Sequence, residues 1–78
     1  MKLQIISAQE IVYTGDVTSV TLPGTMGEFT VLRNHASLLS TLSAGTVRYT
    51  DDAGNDLHSD ITGGIVDVDN NVISVCVY

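Results

Sequence analysis

The chain has 78 residues, 44% hydrophobic and 15% charged, which excludes a disordered chain and indicates one domain over residues 1–78. Its net charge of −6 at pH 7 comes from residues 49–78, which contain six aspartates and neither lysine nor arginine. Such a surface repels phosphate groups, so nucleic-acid binding is not expected. The acidic surface either suits a basic protein partner or only keeps a small β-protein soluble.

Alternation of apolar and polar residues predicts β-strands along the whole chain, because successive side chains of a strand point to opposite faces. The inward-facing residues that this alternation predicts are, in chain order, Leu3 and Ile5, Val20 and Leu22, Phe29 and Val31, Val47 and Tyr49, Leu57 and Ile61, Val66 and Val68, and Ile73, Val75 and Val77. Two packed sheets are the natural way to bury such faces. We therefore expect an all-β fold, a small antiparallel β-sandwich of two packed sheets.

Turn residues separate these strands. Pro23-Gly24 predicts a turn after Leu22, the acidic segment 51–55 predicts a second, and Asn70-Asn71 predicts a hairpin turn because asparagine tolerates positive φ. Residues 34–42 have leucines at a helical spacing but are too few for a stable helix. A single turn leading into a strand is expected there.

The sequence offers little for catalysis, nucleotide binding or metal binding. It contains no Gly-rich phosphate loop, and its one lysine, Lys2, lies at the terminus. No nucleophile-elbow motif is present. The acidic loops at 51–56 and 67–71 carry oxygen ligands that suit calcium, but such loops also arise from ordinary turn chemistry. Turn chemistry is the preferred interpretation, and we expect no enzyme activity, no cofactor and no metal.

Single polar residues are interpreted from their positions. His58 alternates with Leu57 and is expected to face solvent, and the lone Cys76 cannot form an internal disulfide, which fits a reducing compartment. The alternation predicts that Glu28 is an exposed strand residue. His35 is either a turn residue that bonds within its own loop or a contact to a partner protein.

Four segments, in chain order, resemble sequence motifs of one known protein family. Residues 7–17, with Tyr13 and Gly15, look like an opening hairpin that combines an aromatic residue with a Gly turn. Residues 23–39 resemble the pattern P-G-x-x-G-E-[FL]-G-[VI]-[LY]-P-x-H-A-P-L-L, residues 42–48 resemble L-x-P-G-x-[VI]-R, and residues 63–68 resemble G-G-[FI]-[VL]-E-V. Together they resemble the N-terminal β-sandwich of the epsilon subunit of F-type ATP synthases.

The resemblance implies a non-catalytic subunit of the central stalk in a bacterial, proton-translocating complex. In that family the sandwich packs one surface against the gamma subunit and rests its loops on the polar loops of the membrane c-ring. Glu28 and His35 match the acid and the histidine that face the c-ring, and Arg33, the only positive charge of the segment, is assigned to the same contact. The implied location is the cytoplasmic face of the inner membrane, with one copy per complex, and a soluble monomer when isolated.

Some residues depart from the family pattern. Thr30 occupies a position at which the family usually has glycine. Three positions at which the family usually has proline are occupied by Arg33, Ser37 and Ala44. Fewer prolines raise the entropy that is lost when the loop around His35 becomes ordered. Typical epsilon subunits also continue into two C-terminal helices that bind ATP or inhibit hydrolysis. Because the sequence ends at Tyr78, we expect coupling without that helical inhibition.

An alternative from another class is a free-standing ligand-binding or carbohydrate-binding β-sandwich. Sugar sites commonly use exposed aromatic platforms. The chain has no tryptophan, and its tyrosines, Tyr13, Tyr49 and Tyr78, are scattered along the sequence. The rotor interpretation is therefore preferred.

Overall fold

A computed structural model describes residues 1–78 and contains eight β-strands and no helix. The strands are β1 (Lys2–Ile6), β2 (Ile11–Gly24), β3 (Gly27–Leu32), β4 (Leu38–Leu42), β5 (Gly45–Asp51), β6 (Asp56–Ile61), β7 (Gly64–Asp69) and β8 (Val72–Val77). No helix suited to crossing a membrane is present. The all-β prediction is confirmed, and residues 34–42 form a turn followed by β4, as expected.

Strand β2 belongs to both sheets. Its first half pairs with β1, in a sheet that continues through β8 and β7 to β4. Its second half pairs with β3 on one side and with β5 on the other, and β6 completes this second sheet. Strand β4, at the far end of the first sheet, pairs with the end of β2 through Leu42 and Gly24. The two sheets therefore enclose one core.

The length of β2 forces it to bend. Its 14 residues would span roughly 43 Å if straight, at ~3.3 Å per residue. The longest Cα extent of the molecule is only 27 Å. The register of β2 against β5 shifts between Val17 and Ser19, and a local irregularity of this kind increases bending and twist. The strand thus passes from one sheet to the other at this position.

One of the eight strand pairings differs from the antiparallel expectation, since β1 and β8 run parallel. Antiparallel neighbours are often joined by a short hairpin, whereas parallel strands need a long connection. Strands β1 and β8 are neighbours in the sheet but are the first and last strands of the chain, so no hairpin constrains their relative direction.

The core consists of 14 buried apolar residues and no polar one. They are Leu3, Ile5, Val17, Val20, Leu22, Val31, Leu42, Val47, Tyr49, Ile61, Val66, Val68, Ile73 and Val75. Phe29 and Val77 pack against this cluster with partial exposure. Leu57, which alternation placed inside, is 36% exposed because β6 pairs only with β5 and lies at a sheet edge.

Two turn predictions are corrected by the structure. Pro23-Gly24 does not turn but ends β2, where these residues pair with Glu28 and Gly27; residues 25–26 form the turn. Gly15 does not turn either, because it lies inside β2. A Cβ at Gly15 would approach the Tyr13 hydroxyl to 2.8 Å, so glycine here makes room for the tyrosine. The Asn70-Asn71 hairpin is confirmed, with φ of 50° and 63°.

Candidate protein-contact surfaces

Glu28 lies near the start of β3, on the outward face of an edge strand. Its Oε2 accepts a hydrogen bond from Arg48 Nη2 of β5 at 2.9 Å, across the intervening β2. Both side chains are 56% exposed. Exposed pairs of this kind contribute about 0–1 kcal/mol to stability. Glu28 is therefore held in place by Arg48 without supporting the core.

His35 lies in a tight turn directly after β3. Asn34 has a φ of 64°, and the His35 backbone N–H donates to the Leu32 carbonyl at 3.1 Å. The imidazole Nδ1 lies 2.7 Å from the Ala36 carbonyl oxygen. Because a carbonyl oxygen can only accept, Nδ1 carries the hydrogen, and in the neutral ring Nε2 is an acceptor. The local hydrogen bonding expected of a turn histidine is present, and the ring remains exposed.

The structure brings Arg33 and His35 into one turn but keeps Glu28 apart from them. Glu28 and Leu32 lie on the same outward face of β3, separated by roughly 13 Å at ~3.3 Å per residue. Arg33 is exposed and forms neither a hydrogen bond nor an ion pair within the protein. The three predicted residues thus lie along one edge strand and the turn that follows it.

Residues 33–37, here called the histidine loop, are fastened to the β7–β8 hairpin. The Asn34 backbone N–H donates to Asn71 Oδ1 at 2.6 Å, and Asn71 Nδ2 donates to Asn34 Oδ1 at 3.0 Å. Ser37 Oγ donates to Asp69 Oδ1 at 2.8 Å. The sequence marks Asn70-Asn71 as a turn, but contacts over 37 positions of the chain cannot be read from local pattern.

A largely exposed apolar row, in which only Ile6 is half-buried, crosses the other sheet, and sequence reasoning missed it. Ile65 of β7 pairs with Cys76 of β8, Cys76 with Ile6 of β1, and Ile6 with Ile11 of β2. Ile11 is 61% exposed and Ile65 43%. The available signal was the presence of apolar residues at outward positions of the alternation. We call these four residues the apolar row.

The acidic loop at residues 51–55 is closed by turn chemistry. Asp51 Oδ1 accepts hydrogen bonds from the backbone N–H groups of Asn55 and Ala53, at 2.8 and 3.0 Å, and Asp51 Oδ2 accepts from Asn55 Nδ2 at 3.1 Å. These hydrogen bonds lower the pKa of the Asp51 carboxyl, because they stabilise the carboxylate. The largest effect comes from the backbone and side-chain donors of Asn55, followed by the backbone donors of Ala53 and Gly54. The preferred interpretation of this loop from sequence therefore agrees with its geometry.

The tyrosines do not form an exposed aromatic platform. Tyr13 and Tyr49, although distant in sequence, pack with ring centroids 4.5 Å apart, and Tyr49 is buried. Burial, followed by the nearby Asp51 carboxylate, raises the pKa of Tyr13. Tyr78 is 81% exposed but stands at the far end of the chain, over Gly63. This arrangement does not favour the carbohydrate-binding alternative.

The geometry therefore describes a small β-sandwich domain whose candidate residues lie on its outer surface, around an entirely apolar core. The sequence model of the family described as ATP synthase, Delta/Epsilon chain, beta-sandwich domain matches residues 1–78. The chain belongs to this family.

Curated relatives agree with this family. The ATP synthase epsilon chain of Wolinella succinogenes is 45% identical over 69 residues, which cover 88% of this chain and 53% of the relative. The epsilon chain of Sulfurimonas denitrificans is 38% identical over 77 residues, covering 99% of this chain and 59% of the relative. The chain thus spans between half and three fifths of the length of these relatives.

Solved structures share the fold at lower identity. A chain in the mitochondrial ATP synthase of Euglena gracilis, from a structure of OSCP, F1 and c-ring, superposes with a TM-score of 0.86 at 22% identity, covering 96% of this chain and 48% of that one. A chain in the central stalk and c-ring structure of the Tetrahymena thermophila mitochondrial enzyme gives 0.79 at 15%, covering 99% and 62%. The predicted β-sandwich is confirmed by the family and by these folds.

Proposed function

We propose that residues 1–78 form one domain, the β-sandwich of a non-catalytic rotor subunit that couples the gamma subunit to the c-ring in a proton-translocating ATP synthase. Family membership and the epsilon-chain names of its relatives support this role. The matched folds come from structures of ATP synthase assemblies that contain the c-ring, one of them with the central stalk. The observation that carries the proposal is the presence of two separate candidate contact surfaces on one small domain.

The first surface is the apolar row, which we assign to the gamma subunit. Its members are aligned in register across four strands, so they present one continuous band to a partner. Burying a full isoleucine side chain stabilises a complex by roughly 1.5–3 kcal/mol. The band also lies on a different sheet from Glu28, which leaves both surfaces accessible at once.

The second surface is the edge of β3 with the turn that follows, which we assign to the polar loops of the c-ring. Glu28, Arg33 and His35 are exposed and offer a carboxylate, a guanidinium and an imidazole. These groups suit a polar partner surface, where charged contacts fix register more than they raise affinity. In this assignment one copy of the chain serves each complex on the cytoplasmic face of the membrane, and the isolated chain is a soluble monomer.

The direct test is calorimetric titration of the chain with purified gamma subunit from the same organism. We expect a one-to-one complex for the natural sequence. The double variant Ile11→Thr with Ile65→Thr keeps strand-compatible residues at both positions but removes apolar area. We expect it to weaken binding by about tenfold or more.

Leu32→Thr is the matched control, because Leu32 is also an exposed apolar strand residue, 56% accessible, on the other sheet. It should bind gamma as the natural chain does. Equal loss of affinity in both variants would remove the assignment of the apolar row. Absence of any complex at micromolar concentrations would remove the rotor proposal itself.

A further inference from the structure

The histidine loop has little support of its own. Apart from the Leu32 carbonyl, which closes the turn, its internal polar contact is the bond between His35 Nδ1 and Ala36. The backbone N–H groups of Arg33 and Ser37 make no hydrogen bond in the protein. All five residues of the loop are exposed. Such a segment, with few buried contacts, opens readily unless something else fixes it.

Asn71 provides that fixation from a distant hairpin. Its amide both accepts from the Asn34 backbone N–H and donates to the Asn34 side chain, so one group makes two bonds to the residue before His35. The Asn71 backbone is held in turn, since its carbonyl accepts from the Lys2 N–H at 2.9 Å. Asn71 is thus anchored to β1 and β8 while its side chain reaches the loop.

The two asparagines also define the geometry of the turn. Both have positive φ, 64° and 63°, which asparagine adopts more readily than most residues. A side-chain amide that accepts one N–H and donates to one carbonyl oxygen uses complementary groups in a fixed orientation. The bond between Ser37 and Asp69 fastens the other end of the loop to the same hairpin. His35 lies between these two attachment points.

We propose that Asn71 is a positioning residue that holds His35 in the conformation presented to the c-ring. This inference rests on the proposed function and deepens it, because it names the group that orders the contact loop. Asn71 acts through Asn34, because both of its side-chain hydrogen bonds run to that residue. Ordering the loop before binding lowers the entropy that is lost on contact.

The test uses Asn71→Gly, which removes the amide but keeps a residue suited to positive φ. Asn70→Gly is the matched control, because Asn70 lies in the same turn with a φ of 50° and its side chain makes no hydrogen bond. Asn71→Asp is the conservative variant, which keeps an oxygen acceptor for the Asn34 N–H and tolerates the same backbone. All three are made in the full chain.

Two readouts are combined. Amide hydrogen exchange at Asn34 and the carbon-13 tautomer signature of the His35 ring report the loop in the isolated chain. Proton pumping per ATP hydrolysed, in membranes whose complex contains the variant, reports coupling. We expect Asn71→Gly to speed exchange at Asn34 about tenfold and to broaden the His35 signals. Its pumping ratio should fall, while Asn70→Gly matches the natural chain. Asn71→Asp, which keeps the acceptor but loses the donor to Asn34 Oδ1, should recover only part of both readouts.

Equal exchange at Asn34 in Asn71→Gly and Asn70→Gly would overturn the proposal. Faster exchange with an unchanged pumping ratio would also overturn it, because the loop would then not need to be ordered for coupling. Failure of the proposed function looks different: the natural chain would itself not restore coupling to a complex that lacks the subunit. In that case the proposed function is wrong, and the positioning role of Asn71 is rejected together with it.

Discussion

Glu28, Arg33 and His35 are exposed side chains, and the core does not depend on any of them. The Glu28–Arg48 pair is the only salt bridge in the protein, and its exposure keeps its contribution to stability small. Their replacement should therefore separate effects on partner contact from effects on folding. Surface substitutions away from core and turns usually change stability by only about 0.5 kcal/mol.

Combined replacement of Glu28→Gln and His35→Gln tests the second contact surface. The free energy of unfolding in urea should change by less than about 1 kcal/mol, because both side chains are exposed. The proton pumping ratio of the reconstituted complex should fall to about half or less, because the polar contact loses a carboxylate and an imidazole. His58→Gln with Asp60→Asn on the other edge strand, β6, is the control, since it exchanges the same kinds of side chain. Equal pumping in the two double variants would contradict the assignment.

Asp51 gives the domain a defined dependence on acid. Its folded pKa is lowered by the donors of Asn55, Ala53 and Gly54, so the folded state favours the carboxylate more than the unfolded state does. The resulting stability is present above the unfolded pKa of about 3.9 and is lost as pH falls through the folded value. Asp51→Asn should therefore lower the urea midpoint at pH 7, and the difference should shrink below about pH 4. A difference that grows in acid would contradict this.

At the scale of elements, local pattern was sufficient for most of the strands. Alternation identified the inward residues of β1, β5, β7 and β8, because each of these strands has one face toward the core. The Asn70-Asn71 turn was also predictable, since its positive φ follows from residue type. Glu28 and His35 came from the family pattern and Arg33 from its charge, and the structure places all three on the surface.

The remaining features depend on contacts that no local window contains. Gly15 suggested a turn, but its lack of a side chain serves the Tyr13 ring within a 14-residue strand. Pro23-Gly24 ends β2 without a turn because these residues pair with Glu28 and Gly27, and the Pro23 carbonyl also accepts the Ser43 N–H at 2.8 Å. The Asn34–Asn71 contact and the apolar row likewise require the register of distant strands.

The Gly63-Gly64 pair makes the start of β7 sensitive to any side chain. Gly63 has a φ of 146°, and a Cβ at Gly64 would overlap the Cys76 carbonyl oxygen and lie 3.1 Å from Val77 Cα. Both obstacles belong to the backbone of β8, which cannot turn aside as a side chain can. Gly64→Ala should destabilise the fold by roughly 2–4 kcal/mol, measured by urea unfolding.

Gly54→Ala is a useful comparison for the overlap at Gly64. Gly54, unlike Gly64, has a positive φ, 86°, and a Cβ there meets nothing within 4 Å. Its replacement should therefore cost about 1 kcal/mol, from backbone strain alone. If Gly64→Ala were no worse than Gly54→Ala, the close approach of β7 and β8 would not control stability.

At the scale of the whole molecule, a small apolar core carries the two outward-facing surfaces that we propose as contact regions. Fourteen buried residues hold the sheets together, while the apolar row leaves Ile11, Ile65 and Cys76 exposed and Ile6 half-buried. A domain of this size has a thin margin of stability. In the proposed complex, covering the row with gamma would add to that margin, because a ligand that binds only the folded state stabilises it.

The strand shared by both sheets has a mechanical consequence. Two separate sheets can slide past each other along their packed faces, but β2 runs from Ile11, in the apolar row, to Pro23, the neighbour of Glu28. A load applied at one surface therefore reaches the other along covalent bonds and not only through side-chain packing. In the proposed rotor, the two contact surfaces of the domain would therefore turn together, because the two sheets cannot slide independently.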